Sequence, residues 1–479
     1  MFCWAIIQLF AVKRKKGIMV NVVGLQVLMQ RPDTPHGLKL ETTYRQILGL
    51  ALPISFAMLV PQFNFLVNSL FLSRLGNGFL GAAGITGVYY LIFAAIGHGL
   101  NNGLQVLISR RAGQDRLDEI GSLSVQSMYL SLIIAGLGIL CTYALAPFLL
   151  KGQLEPALYE QAVSFLRIRI WGLPFLYLYQ MRNGLLVGTN QSRFLIWGTL
   201  AETLSNVFLD YCLIFGKGGF PALGFKGAAY ASILAEAIGM MTVFIIIFRK
   251  GLASRFRLFH DMRLKWDEMI SILSQSSPLV LQYAISIISW EFFFILVSHH
   301  GSMALDISQY MRVIIGFMGV FIWSFASTTN TMVSNVIGQG KKDLVAPLIR
   351  RITMLSLAVA LMLSIPIQLF PEWFLGLMRQ DPGFIREGIP VIRVVSVAMV
   401  LMSFSAIWMN AVIGTGNTAV NLAIEAITLV AYCFYIYLVL EKWDLSITIG
   451  WMSEWIYWSS MFSMSYLYIR SGRWRKKEI

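Results

Sequence analysis

Apolar runs of about 20 residues recur along this chain, separated by short polar connections. At about 1.5 Å rise per residue, a helix of that length crosses a hydrocarbon core. Twelve such runs lie near 46–73, 80–106, 121–148, 160–184, 193–215, 225–248, 270–298, 306–335, 347–371, 386–412, 418–440 and 446–469. Lipid offers the backbone no partner, so each run is expected to be a helix that satisfies itself. The period-two alternation of a membrane barrel is absent. The expected fold class is an all-α integral membrane protein of about 12 transmembrane helices.

Composition agrees. Of 479 residues, 57% are hydrophobic and 13% charged, where soluble proteins carry about a quarter charged residues. The net charge of +14 could suggest nucleic acid, but the basic residues cluster at the ends of apolar runs, so no nucleic-acid partner is expected. From Lys13 onward, the N-terminus, every second connection and the C-terminus hold 27 Lys and Arg, against 7 in the alternate connections. The positive-inside rule then places both termini in the cytoplasm, which needs an even number of crossings, as twelve supplies. The plasma (inner) membrane is the expected location. Cys3, Cys141, Cys212 and Cys433 sit in separate apolar runs and read as inert packing residues. The opening "MFCWAIIQLFAV" precedes its charges and is too short to span, so it reads as an interfacial or disordered leader, with Met19 or Met29 as alternative starts.

The pattern also repeats. Gly76 and Gly113 are 37 residues apart, as are Gly301 and Gly338; "AGQDRLDEI" at 112 answers "IGQGKKDLV" at 337. Pro147 matches Pro371, Arg169 matches Arg393, "GTNQS" at 188 matches "GTGNT" at 414, and Glu236 matches Glu454, all at nearly one offset. The expected organisation is a mobile cytoplasmic leader (1–45), a six-helix lobe (46–250), a cytoplasmic linker lying on the headgroups (251–269), a second six-helix lobe (270–472) and a basic tail (473–479). Six crossings per lobe give both the same topology and relate them by a pseudo-twofold axis along the membrane normal. Paired bundles of this kind favour rocking about a central cavity, hence alternating access.

Three segments carry a resemblance: "ALPISFAMLVPQFNFLVNSLFLSRLG", "GLNNGLQVLISRRAGQDR" and "NVFLDYCLIFGKGGFPALGFKGAAYAS". With "TTNTMVSNVIGQGKKD" in the second half, they are similar to the multidrug and toxic compound extrusion (MATE) family, over about residues 45–470. The resemblance implies a twelve-helix, two-lobe antiporter of the multidrug/oligosaccharidyl-lipid/polysaccharide flippase superfamily. Such proteins expel organic cations and other amphipathic compounds in exchange for H+ or Na+. It also implies a cation-coupling site at Asp210 and Asn206, with the first-span aspartate of "NLVDTIFVGRLG" replaced here by Asn68. That pair and Asn68 are the candidate Na+ ligands; no other metal site and no cofactor is expected.

An ionisable group within the bilayer costs about 2.5–3.5 kcal/mol on insertion scales, so each needs a reason. Glu202, Asn206 and Asp210 are spaced by four on one face of the fifth span; the stripe serves either helix packing or ion binding. Asn68 and Asp210 count to similar depth in the outer half. Asn68 does not titrate, but its carbonyl oxygen can ligate sodium or accept a hydrogen bond. Glu291, between Trp290 and Phe292, is a second coupling candidate, and Trp290 could stack on a cationic substrate. Glu236, Glu425, Gln105 and Asn330 are candidates for lining the cavity, with helix packing the alternative; Glu425 and Glu454 lean towards structure. His299 and His300 are expected exposed. "GKGG" at 216 lacks the rest of a phosphate loop and reads as a turn.

The favoured function is cation-coupled export of small amphipathic or cationic compounds by a chain that is not an enzyme and is expected to be monomeric. A flippase for lipid-linked saccharides is the alternative. It would want a strongly basic cavity, whereas Arg167, Arg169, Arg312 and Arg393 stand against six acids. An integral-membrane transferase is the third reading, without the residue cluster it needs.

Overall fold

A computed structural model describes residues 38–75, 79–152, 156–477 and 479. Most of the leader, with Cys3, Met19 and Met29, and the repeat glycine Gly76 lie outside the described residues. Among them every regular element is helical. The first half comprises α1 (Tyr44–Ser73), α2 (Phe79–Gly113), α3 (Leu117–Leu150), α4 (Pro156–Arg169), α5 (Leu173–Gly188), α6 (Leu195–Phe215) and α7 (Phe225–Arg249). After a single turn, α8 (Leu252–Arg255), come α9 (Trp266–His299), α10 (Ser302–Gly338), α11 (Val345–Leu369), the short α12 (Pro371–Gly376), α13 (Pro382–Gly414), α14 (Thr418–Ile436), α15 (Ile447–Trp451) and α16 (Ser453–Arg470).

These make twelve spans in two lobes. Nine described helices are long and apolar enough to cross a membrane by length and composition. The other three spans carry an interruption or a polar stripe. The fourth is broken by a 3-10 turn at Ile170–Gly172 between α4 and α5. The twelfth is broken between α15 and α16. The sixth element, α6, holds Glu202, Asn206 and Asp210.

Local chemistry sets the helix ends. Thr43 caps α1, its hydroxyl accepting from Gln46 N at 3.2 Å; Asp381 caps α13, accepting from Gly383 N at 3.1 Å, with Pro382 at the first position. The "GKGG" segment is the turn expected: Gly216, Gly218 and Gly219 all have positive φ, and Gly216 ends α6 in the left-handed conformation.

The lobes meet at the end of the molecule that carries residues 38–40 and the 339–344 and 415–417 connections. Here α2 and α10 cross almost backbone to backbone. A Cβ on Gly113 would lie 2.1 Å from Asn335 O, and one on Gly338 would lie 2.3 Å from Arg110 O. The repeated glycines are thus the contact that closes this seam. Arg110 reaches across it: Nε donates to Ser334 O (3.1 Å) and Nη2 to Gly414 O and Thr415 O (3.3 and 3.1 Å). Those last acceptors are carbonyls at the C-terminus of α13, which the helix itself leaves unpaired. Ser55 and Ser324 share a hydrogen at 2.6 Å, and Asn102 donates to Tyr283 Oη at 2.8 Å. The described hydrogen bonds between lobes reach no further than this level. Above it the lobes also meet at the edge-to-face pair Phe63–Phe317, with centroids 5.6 Å apart.

Two helices change sides. The first turns of α1 (Ile47, Leu50, Ala51) belong to the core of the second lobe, with Ile322, Phe325 and Val336. Its next turns (Ile54, Ala57) join the first lobe, and Pro53 sits at the changeover, where it removes one backbone hydrogen bond. Reciprocally, Met269 and Ile272 of α9 pack in the first lobe and Phe293 to Val297 in the second.

The 251–269 segment is docked onto the first lobe. Phe256 is fully buried and Leu258 nearly so; Gln126 of α3 donates to Arg263 O at 2.8 Å, and Arg257 pairs with Asp118 at 2.9 Å. Its amphipathic pattern, read as a surface for headgroups, serves to cover α3.

Candidate functional site

In the first lobe α1 and α6 run side by side and bring together an Asn/Asn pair and an Asn/Asp pair, each spaced by one turn. Asn64 Nδ2 donates to Asn206 Oδ1 at 2.9 Å. One turn along each helix stand Asn68 and Asp210, so the parallel spacing carries them to the same level. Asn206 and Asp210 are buried. The oxygens Asn64 Oδ1, Asn68 Oδ1 and Asp210 Oδ1 are all buried with no hydrogen-bond partner among the described residues, as is Asn206 Nδ2. Buried acceptors are ordinarily satisfied. Three unsatisfied oxygens, one from a carboxyl group, form a donor set of the kind a small cation takes. Asn64 was missed in the sequence; the signal was its spacing from Asn68, which repeats that of Asn206 and Asp210.

Glu202 does not join them. It lies against α7, where a Cβ on Gly239 would come 2.9 Å from the Glu202 Cβ. The helical drift of a four-residue spacing, about 40° per step, suffices to turn the stripe from α1 towards α7.

Glu236 is not a cavity residue. Arg169 holds it in a two-pronged ion pair, Nη1 to Oε2 at 2.9 Å and Nη2 to Oε1 at 2.5 Å. Tyr90 Oη donates to Glu236 Oε1 at 3.2 Å, and the guanidinium carbon lies 3.8 Å from the Tyr90 ring centroid. The absent side chain of Gly172 makes room for both partners. This cluster ties α2, α4 and α7 together beside the 3-10 break.

In the second lobe Glu291 is paired with Arg312 at 3.5 Å. The same guanidinium lies 4.9 Å from the Trp290 ring and 5.4 Å from the Phe294 ring. The face of Trp290 expected to meet a cationic substrate is therefore covered by a cation of the protein itself. Gln105 packs helices rather than lining a cavity: Nε2 donates to Thr331 Oγ1 at 2.6 Å and to Ser327 O at 3.0 Å. Asn330 is fully buried, with neither side-chain end bonded. Glu425 is fully buried too, accepting from Gln282, Ser286 and Tyr457. Glu454 accepts from Trp458 Nε1 at 3.0 Å, one turn on. Its repeat partner Glu236 has an arginine; Arg393, the matching residue, is exposed and Glu454 has no ion pair among the described residues. His299 is exposed and meets Glu441 at 3.0 Å, but His300 is largely covered and bonds Leu440 O at 3.0 Å. The π-helical turn Tyr437–Lys442 that ends α14 carries these partners to it. Cys141, Cys212 and Cys433 are free thiols.

A helix from each half that crosses into the other's core, a polar pair on each of the first and fifth spans of one lobe, and a repeated glycine crossing together describe a two-lobe membrane transporter. A family model for MatE matches residues 53–212 and again 278–438, so the chain belongs to the MATE family. It is an integral membrane protein. Among curated relatives it is similar to "Probable multidrug resistance protein NorM" of Thermotoga maritima, 23% identical over 445 residues, covering 91% of this chain and 94% of the relative. The protein of the same name from Synechocystis is 27% identical over 372 residues, covering 74% and 79%. Among solved structures, an outward-facing MATE family transporter of the MOP superfamily superposes with a TM-score of 0.84 at 20% identity, covering 92% of this chain and 98% of the other. A MOP superfamily transporter from Pyrococcus furiosus, described as having a binding pocket of reverse polarity, gives 0.82 at 19% identity, covering 93% and 100%.

Proposed function

We propose that this chain is a multidrug efflux transporter that exports small amphipathic or cationic compounds by cation-coupled alternating access. The observation that carries the reading is the first-lobe site: three unsatisfied buried oxygens, one of them Asp210 Oδ1, between two helices, one of which also packs in the opposite lobe. The names of the NorM relatives support the cargo class. The end closed by Gly113 and Gly338 is the cytoplasmic end on the positive-inside reading, with both termini there. With that seam shut and the hydrogen bonds between lobes ending midway, the conformation is outward-facing. A coupling ion entering from outside meets Asp210, Asn206, Asn64 and Asn68. Neutralising the site there lets the lobes swap access, because an uncompensated charge in a dry interior is costly to carry across. The site is complete within one chain.

The coupling ion is H+ or Na+. Sodium would use the three carbonyl and carboxyl oxygens as ligands; a proton would sit on Asp210, donating to a neighbouring amide oxygen. Export of ethidium from proteoliposomes under separately imposed proton and sodium gradients distinguishes them. Asp210→Asn should abolish the response to whichever gradient drives the wild type; a variant that still couples as the wild type does removes Asp210 from the site.

A further inference from the structure

The second lobe holds a carboxyl group that the exporter reading has not used. Glu425 lies between α9, α14 and α16 and is fully buried. No Lys, Arg or His pairs with it among the described residues. Its partners are all donors: Gln282 Nε2 to Oε2 at 3.2 Å, Ser286 Oγ to Oε1 at 2.6 Å and Tyr457 Oη to Oε1 at 2.7 Å. Gln282 is itself fixed, its Oε1 accepting from Asn421 Nδ2 at 2.6 Å. The amide therefore keeps its N–H towards Glu425.

Ser286 makes this arrangement a two-state device. A serine hydroxyl has one hydrogen and two lone pairs. Its oxygen lies within reach of two acceptors, Glu425 Oε1 at 2.6 Å and Gln282 O at 2.8 Å. With Glu425 ionised, the hydrogen points to Oε1 and the carboxylate receives three donors. With Glu425 protonated on Oε1, the carboxyl donates to Ser286 Oγ, and the serine hydrogen turns to Gln282 O. Both states are satisfied with no heavy atom displaced. The groups that touch Glu425 all present N–H or O–H donors to it, whereas sodium takes oxygens; Asn421 Oδ1, one amide further out, is a free oxygen and does not touch the carboxyl group.

We propose that Glu425 is a second proton-carrying carboxyl group, in the second lobe, loaded and unloaded as that lobe alternates between the two sides. The proposal rests on the exporter reading above. Hydronium delivers the proton to Glu425 Oε1 and leaves water; on the other side water takes it back. Ser286 and Tyr457, the two hydroxyls on Oε1, are half-buried where Glu425 is fully buried. The other titratable groups facing the site are Tyr283 of α9, Tyr432 of α14, and Glu454 and Tyr457 of α16. His98 of α2 lies against Tyr283, ring centroids 6.3 Å apart. α13 contributes only Met409, beside Gln282.

The test uses the full chain and ethidium as the probe. Protons released when ethidium binds are counted in detergent with a pH-indicator dye, and the pH profile of gradient-driven ethidium transport is measured in proteoliposomes. Glu425→Gln should bind ethidium, lower the count by about one proton per binding event, and flatten the pH profile. Ser286→Ala, which keeps the carboxyl group, should shift the profile and leave binding intact. An unchanged count and profile in Glu425→Gln overturns the proposal. Should that variant not fold, an unchanged profile in Ser286→Ala does so. Wild-type protein that moves ethidium under neither proton nor sodium gradient overturns the exporter reading; wild type driven by sodium alone, with no protons released, overturns this proposal and leaves that reading standing.

Discussion

Gly113→Ala should prise open the seam between the lobes. The added Cβ would sit 2.1 Å from Asn335 O and 3.0 Å from the carbonyl carbon behind it. Non-bonded heavy atoms rest at about 3.5–4 Å, so α2 and α10 have to part by more than 1 Å, and neither neighbour is a side chain that could rotate away. Forcing a methyl group into a packed contact costs about 1–3 kcal/mol. In the alternative state the contact is absent, so the cost falls on the closed seam alone and moves the conformational equilibrium by roughly 5–150-fold. The assay is electron–electron distance measurement between spin labels at Gln114→Cys and Lys341→Cys, both exposed beside the crossing, with the native cysteines replaced. The longer distance should gain population. Gly136→Ala is the control, since nothing lies within 4 Å of its Cβ position. A folded Gly113→Ala protein with the distance distribution of the control would refute the assignment of this crossing as the closed gate.

Other outcomes follow from the polar clusters. Asn64→Ala removes the donor to Asn206 Oδ1 and one of the unsatisfied oxygens; at about 1–3 kcal/mol for a stranded buried group, coupling-ion affinity should fall roughly tenfold or more, read from the gradient dependence of export. Asn68→Asp adds a charge among the same oxygens and should tighten cation binding by calorimetry. Arg169→Met strands the buried Glu236 carboxylate, at about 3–5 kcal/mol, and should lower the thermal midpoint in detergent. Adding Glu236→Leu to it should recover most of that loss; failure to recover would mean Arg169 stabilises through its contact with the Tyr90 ring instead.

The spans and the duplication were legible because lipid forces long apolar runs and the second half reuses the first half's pattern. Gly113 and Gly338 stood out as matched positions, and their purpose, backbone contact, became visible only in three dimensions. The break at Ile170–Gly172 was not legible, since a 3-10 turn leaves hydropathy unchanged. That Asp210 and Asn206 share a helix face could be read from their spacing, and that the face is buried against α1 became visible in the fold. Glu236 could not be read correctly, because its partner Arg169 is 67 residues away and only the fold sets them at ion-pair distance. Likewise nothing in "SWEFFF" says that Arg312 of the next helix will cover Trp290 and neutralise Glu291. Acids in a membrane are conspicuous in sequence; whether each already has its cation is a question of packing.

The exchange of α1 and α9 between lobes bears on how the protein is made. Synthesis proceeds from the N-terminus, and domains ordinarily fold as units in that order. Here Ile47, Leu50 and Ala51 emerge among the first described residues, yet the side chains that bury them, Ile322, Phe325 and Val336, follow about 270 residues later. At the usual 5–20 residues per second, the first lobe waits on the order of ten seconds or more with the opening turns of α1 unpaired. Lipid, not protein, has to shelter them in that interval. Completion of α10 is then the step that first covers the opening turns of α1, and an interruption before it leaves seven spans inserted with α1 unpaired.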